Sequence, residues 1–243
     1  MSPTTSAKIL TNESVICENC WFCKYPTSNK NSSSNANCEV NIKHYSREFN
    51  KGVCLIKNGE PVSGIYCIQK GNVKISKKRK ENKEFILWIA SAGDIIGLNS
   101  YINHEAYSFT ATALDKISAC FISCAELKVL LSKEPMLLVE LTRRLCKKLN
   151  FVEHRITSLS TQSIRGQCAE ILISIATDNT NEKDKTYYIN YSVRDLASLV
   201  GTTQNYLYKI LLEFTTKGIL SVKNKKFIIN DINTLSLIAN GID

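Results

Sequence analysis

At 243 residues the chain is long for one compact domain and comfortable for two, of about 150 and about 80 residues. Hydrophobic residues at 44% and charged residues at 22% exclude wholesale disorder, and no stretch reaches the roughly eighteen apolar residues of a membrane span. The 31 Lys and Arg against 22 Asp and Glu leave a formal charge of +9, a balance suited to polyanions such as nucleic acid. Ten cysteines would signal disulfides in a secreted protein. The first sixteen residues, however, carry no basic start followed by an apolar run, so the expected compartment is the reducing cytoplasm. There a cysteine is either a small hydrophobe or a ligand, and spacing must tell which.

In chain order, residues 1–38 form a polar, irregular, cysteine-containing tail ending in a Ser- and Asn-rich run. From 39 to 134, short runs of Ile, Val, Phe, Tyr and Cys alternate with turn signals at Asn50-Lys51-Gly52, Asn58-Gly59-Glu60-Pro61, Lys70-Gly71-Asn72 and Gly93-Asp94. That spacing predicts a β sandwich or jelly roll, with the basic segment Lys77–Asn82 at a hairpin tip. At Pro135 the period changes. Leu138, Leu141, Leu145, Leu149, Val152, Ile156 and Leu159 recur in steps of three and four, predicting a long helix over 135–160 with a narrow apolar seam suited to pairing with a second copy. A further helix is expected over Ile164–Ala176, followed by a loop over Thr177–Lys185.

The segment Ser192–Phe214 carries the most information. Ser192 and Asp195 stand at capping-box spacing, and Leu196, Ala197 and Val200 form one buried face. Gly201 suits a tight turn, and Thr203 can cap a second helix with Leu207, Ile210, Leu211 and Phe214 facing inward. This is a helix-turn-helix pattern, and it opens a C-terminal unit over 161–243. Thr202, Thr203, Gln204, Asn205, Tyr208 and Lys209 are the candidates for reaching double-stranded DNA. After Gly218, two β-like runs, Ile219–Val222 and Lys226–Ile229, flank a basic tip whose Lys223 and Lys225 are candidate phosphate contacts.

Three histidines, His44, His104 and His154, are scattered. There is no phosphate-binding glycine loop, nucleophile elbow or paired-carboxylate motif, so an enzyme is not expected.

Taken with the segments FNKGVCLIKNGEPVSGIYCIQKGNVKI, AGDIIG, SVRDLASLVGTT and KGILSVKNKKFII, this order of parts resembles the Crp/Fnr family of bacterial transcription regulators. The resemblance covers about Tyr45 to Ala239. It implies an α+β chain: a cyclic-nucleotide-binding-type jelly roll, a long dimerisation helix and a winged helix-turn-helix. It further implies a homodimer on a palindromic promoter site, with RNA polymerase as a partner. Members that bind cyclic AMP carry an acidic residue just after the Gly of the AGDIIG-like motif and an Arg-Ser pair about ten residues on. Here Leu98 and Tyr107-Ser108 stand in those places, and a phenol cannot replace the charged fork that an Arg offers a phosphate, so cyclic AMP is not the expected ligand.

Cys17, Cys20 and Cys23 form C-x-x-C-x-x-C, a spacing at which three thiolates can converge on one metal or cluster while a fourth ligand is still needed. The oxygen-sensing branch of the family holds a 4Fe–4S cluster with an N-terminal cysteine group plus one cysteine of the β domain. Cys120 falls in that internal place, and Cys38 is an alternate. The spacing departs from that branch's C-x-x-C-x5-C, so zinc, thiol redox sensing and no cofactor all stay open. Cys54, Cys67, Cys146 and Cys168 lie in apolar patterns and are expected to be buried free thiols, with Cys124 ambiguous.

Overall fold

The computed structural model describes residues 45–78, 84–178, 180–181, 186–189, 191–223 and 226–242. Cys17, Cys20, Cys23, Cys38, Lys225 and most of the predicted hairpin tip lie outside the described residues.

The first eight strands are β1 (Tyr45–Phe49), β2 (Cys54–Ile56), β3 (Gly64–Lys70), β4 (Val73–Lys78), β5 (Glu84–Ala90), β6 (Ile95–Ile96), β7 (Thr110–Ala113) and β8 (Ile117–Ser123). They form two four-stranded sheets of order β1-β8-β3-β6 and β2-β7-β4-β5, the predicted jelly roll. Successive residues of a strand point to opposite faces, and the first sheet buries both. Tyr66, Ile68, Ile117 and Ala119 face inward with Ile56, Val73, Ile75 and Ala111. Ile65, Cys67, Cys120 and Ile122 face the other way and pack with Leu98, Leu127, Leu130, Leu137 and Leu141 from helices. A strand covered on both faces has no strict polar alternation to show, which is why GIYCI and ACFI read as continuous apolar runs.

Those helices are α1 (Leu98–Asn103), α2 (Cys124–Lys133) and α3 (Pro135–Thr161). The second lay unseen within the predicted roll. It starts with a full capping box, in which the Ser123 side chain accepts from Glu126 N at 3.2 Å and the Glu126 carboxylate accepts from Ser123 N at 2.8 Å. The third is the predicted long helix, 27 residues without interruption.

The C-terminal elements are α4 (Ile164–Asp178), β9 (Thr180–Asn181), β10 (Thr186–Ile189), α5 (Val193–Val200), α6 (Gln204–Thr216), β11 (Leu220–Lys223), β12 (Lys226–Ile229) and α7 (Ile232–Ala239). The sheet order is β11-β12-β10-β9, so the predicted two-stranded wing is part of a four-stranded sheet. The predicted loop from Thr177 is shorter than expected, because α4 runs on to Asp178 and β9 follows. The core of this part joins Cys168, Leu172 and Ile175 of α4 to Leu196, Val200, Leu207, Leu211, Phe214, Leu235 and Ile238, all buried.

Contacts divide the chain into two compact units, residues 1–80 with 87–145 and residues 81–86 with 146–243. The boundary falls inside α3, so this helix belongs to both units rather than forming a region of its own. Among the described residues no helix is long and apolar enough to cross a membrane.

Candidate functional site

The geometry of α5 and α6 follows from three local devices. Ser192 is the N-cap of α5: its hydroxyl accepts from Asp195 N at 3.1 Å and donates to the Asp195 carboxylate at 2.6 Å. The shorter Asp therefore meets the cap hydroxyl, a variant of the full box at Ser123. Gly201 ends α5 in the left-handed conformation (φ 84°), where a β-carbon is disfavoured, and its N–H donates to Ala197 O at 2.9 Å. Thr203 then caps α6 by accepting from Tyr206 N at 3.3 Å.

This turn carries the chain from one helix to the next in three residues while burying Leu196, Ala197 and Val200 on α5 and Leu207, Ile210, Leu211 and Phe214 on α6, the faces predicted. The opposite face of α6 is open. Thr203, Gln204, Asn205, Tyr208 and Lys209 are exposed and Thr202 is half-buried. These residues cluster at the helix N-terminus, where unpaired N–H groups and the positive end of the helix dipole favour a phosphate. Tyr206, 50% exposed on α6, and Arg194, exposed on the first turn of α5, were not among the predicted residues. Arg194 was legible as a cation two residues after a helix cap.

At the other end of α6, Glu213 accepts from Arg165 Nε at 3.1 Å and from Lys217 Nζ at 2.9 Å. The Lys217 hydrogen bond, with Arg165 adding to it, lowers the Glu213 pKa. These two cations are thus engaged within the protein. In the wing, β11 and β12 pair from Leu220↔Ile229 to Lys223↔Lys226, and both lysines are exposed.

On α3 the seam is sharper than the periodicity implied. Leu138, Leu145, Leu149, Val152, Ile156 and Leu159 are exposed, from 38% at Val152 to 62% at Ile156. Leu141 differs: it is 1% exposed and packed in the roll's helix-side core, so it is unavailable to a second chain. Counting back from Leu159 through Ile156, Val152, Leu149 and Leu145 in alternating steps of three and four, the next heptad position is Thr142, and it is exposed.

In the roll, the phenol that stands in place of the expected Arg is fully seated. Tyr107 is 3% exposed; its hydroxyl donates to Gly64 O at 2.6 Å and accepts from Gly64 N at 3.2 Å and Ser63 N at 3.3 Å. A β-carbon on Gly97 would meet Gly64 O at 3.1 Å and the Tyr107 ring at 3.2 Å, so the motif glycine is what lets the phenol seat itself. Leu98, in the acidic residue's place, is buried in the helix-side core.

Cys120 lies on β8 directly across from Cys67 of β3 and is fully buried, its Sγ accepting from Gln69 Nε2 at 2.9 Å. Among the described residues no group of three His, Cys, Asp or Glu side chains is arranged to hold a metal ion. Cys67 and Cys168 are buried as expected, and burial pushes the Cys168 thiol up to about 12. Cys54 and Cys146 are exposed, against expectation, because the first is on an edge strand and the second on the outward side of α3. Cys124 is half-buried and donates to Val62 O at 3.5 Å.

Comparison with known proteins agrees with this architecture. Residues 46–134 match the cyclic nucleotide-binding domain family and residues 166–238 the Crp-like helix-turn-helix domain family. The chain is 22% identical over 191 residues to a CRP-like cAMP-activated global transcriptional regulator of Mycobacterium tuberculosis, covering 78% of this chain and 85% of that one. It is 25% identical over 201 residues to the fumarate and nitrate reduction regulatory protein of Yersinia pestis, covering 82% and 80%. The solved structure of FixK2 from Bradyrhizobium japonicum superposes with a TM-score of 0.72 at 17% identity, covering 80% of this chain and 96% of that one. With a jelly roll, a long helix and a capped helix-turn-helix in this order, the chain belongs to the Crp/Fnr family of transcription regulators, which are DNA-binding proteins and not enzymes.

Proposed function

We propose that two copies of this chain pair along α3 and bind a palindromic promoter site, each placing the N-terminal turns of α6 in a major groove and the wing against the backbone. The observation that carries this reading is the exposed heptad row from Leu138 to Leu159 on the helix that leads into the helix-turn-helix. Six large apolar side chains facing water on one stripe are a surface that a second copy of the same stripe would bury. Asn205 and Lys209 are suited to base edges, Asn to adenine and Lys to guanine, while Thr202, Thr203, Gln204, Tyr208, Lys223 and Lys225 hold the register through phosphates. Bound there, the dimer acts on RNA polymerase.

Selection of duplexes from a random pool, followed by footprinting, tests this. A two-fold symmetric footprint with half-sites centred about 34–36 Å apart supports it. Absence of duplex affinity, or an asymmetric site bound by a monomer, overturns it.

The signal enters through the N-terminal unit. The seated Tyr107 and the buried Leu98 weigh against a cyclic nucleotide. The reading favoured by residue type is redox, oxygen or nitric oxide, through Cys17, Cys20 and Cys23 with Cys120, whose sulfur already receives an N–H from Gln69. A 4Fe–4S cluster, when bound, would supply an oxidant-sensitive link among these thiols. What Cys120 itself contributes is a preformed, desolvated sulfur whose position the β8 ladder fixes. A cofactor-free regulator with a small-molecule effector is favoured instead by the complete burial of that same sulfur. Iron and acid-labile sulfide in protein purified without oxygen, with duplex binding before and after air exposure, separate the two. Bound iron and air-sensitive binding support the first; colourless protein with unchanged binding supports the second.

A further inference from the structure

The last turns of α3 present two faces of different chemistry. Leu149, Val152, Ile156 and Leu159 are exposed on one side, whereas Arg155 is half-buried and Ser158 buried on the other, within the C-terminal unit. The buried side is polar. Gln167 of α4, 2% exposed, donates to Gln162 O at 3.1 Å and to Ser158 O at 3.4 Å. Arg155 Nη2 donates to Leu199 O, a carbonyl in the last turn of α5, and the Glu170 carboxylate of α4 acts on the same guanidinium through its charge. A guanidinium on α3 is therefore hydrogen-bonded to α5.

Apolar packing is non-directional and tolerates sliding, whereas a charge-assisted hydrogen bond from a planar guanidinium fixes both distance and angle. Leu199 is two residues before Gly201 and four before the Thr203 cap of α6, so whatever holds Leu199 O also holds the start of the recognition helix. Terminal carbonyls of a helix have no partner in their own ladder, and Arg155 supplies one from outside. Among the described residues, Arg155 Nη1 and Glu170 Oε2 are both buried without a hydrogen-bond partner, and the bond to Leu199 O is the directional tie on this guanidinium.

We propose that Arg155 is a positioning residue that fixes the angle of the recognition helix α6 against the end of α3 and thereby sets the half-site spacing the dimer accepts. The inference rests on the palindrome-reading dimer proposed above. If α3 lies along the dimer contact, the separation of the two recognition helices depends on how each is held to it, and Arg155 is the tie between them.

The test uses full-length protein and a duplex series carrying the selected palindrome with zero, one or two base pairs added or removed at its centre. Wild-type protein is expected to lose affinity about tenfold for one added base pair, as when one recognition helix sits out of register with its half-site. Arg155→Ala is expected to bind the best palindrome about tenfold more weakly, as for the removal of a charge-assisted hydrogen bond. Its dependence on spacer length should be flattened, with an unchanged affinity for a single half-site duplex and an unchanged dimer by sedimentation. Arg155→Lys should fall between, and it replaces the Ala variant should that one fail to fold. A variant that keeps the wild-type spacer dependence overturns the role of Arg155 while leaving the palindrome reading intact. Wild-type protein that ignores the spacer overturns both.

Discussion

Lys209 lies on the exposed face of α6, six residues after the Thr203 cap, where a helix entering a groove presents side chains to base edges. Lys209→Ala is expected to weaken specific binding by about 1–3 kcal/mol and leave the oligomeric state unchanged, as read by fluorescence anisotropy and sedimentation. Tyr107 makes a different argument, because its hydroxyl is inside the roll. Tyr107→Phe leaves the Gly64 N–H and carbonyl without that partner and is expected to lower stability by about 1–3 kcal/mol, measured as a shift in denaturant midpoint at unchanged m-value. The substitution of Tyr for Arg was legible in the sequence. What the phenol does there was not, since its partners are 43 residues away along the chain. The cysteines show the same limit: apolar neighbours predicted burial for Cys54 and Cys146, but a neighbour in sequence says nothing of which side of a helix or edge of a sheet a side chain takes.

At the scale of elements, the capped pairs α5 and α6 were legible because their signals are local: a Ser, a Gly and a Thr at fixed offsets around two amphipathic faces. The long helix was legible from its period, yet steps of three and four could not decide between Leu141 and Thr142, each of which lies within a helical step of Leu138 and Leu145. Only the roll packed against α3 separates them. Two consequences differ in kind. Ile156→Glu, on the exposed row, is expected to shift the protein toward monomer by sedimentation and to abolish palindrome affinity, with thermal stability falling only by what the dimer contact contributes. Leu141→Ala, in the core, is expected to cost about 2–5 kcal/mol of stability in the N-terminal unit and leave dimerisation intact. Helix α2 was missed although Ser123 and Glu126 spell its start, because the strand before it is as apolar as the helix. Helix α7 likewise begins at a readable cap, where Asp231 accepts from Thr234 N at 3.0 Å. The short strands β9 and β10 had no such signal, being two and four residues with little alternation.

For the whole molecule, the surplus of cations takes its meaning from where they stand. Arg165 and Lys217 are tied to Glu213, whereas Lys209 on α6, Lys223 in the wing and Arg194 on α5 are exposed. A dimer neutralising about 6–10 phosphates is expected to lose about 10³–10⁵ in affinity between roughly 50 and 200 mM salt, so a titration of binding against salt checks the electrostatic reading independently of any sequence preference. The order of the modules was legible because each has its own signature, whereas the signal was not, since cysteine spacing alone leaves cluster, zinc, thiol redox and no cofactor equally open. The end of the wing adds one more dependence. Lys223 and Lys226 stand directly opposite each other in the last pair of the ladder, where like charges repel. In the free protein, added salt screens that repulsion and steadies the hairpin, while on the proposed duplex it would displace Lys223 from phosphate. The thermal stability of the unbound C-terminal unit and its grip on DNA should therefore respond to salt with opposite signs.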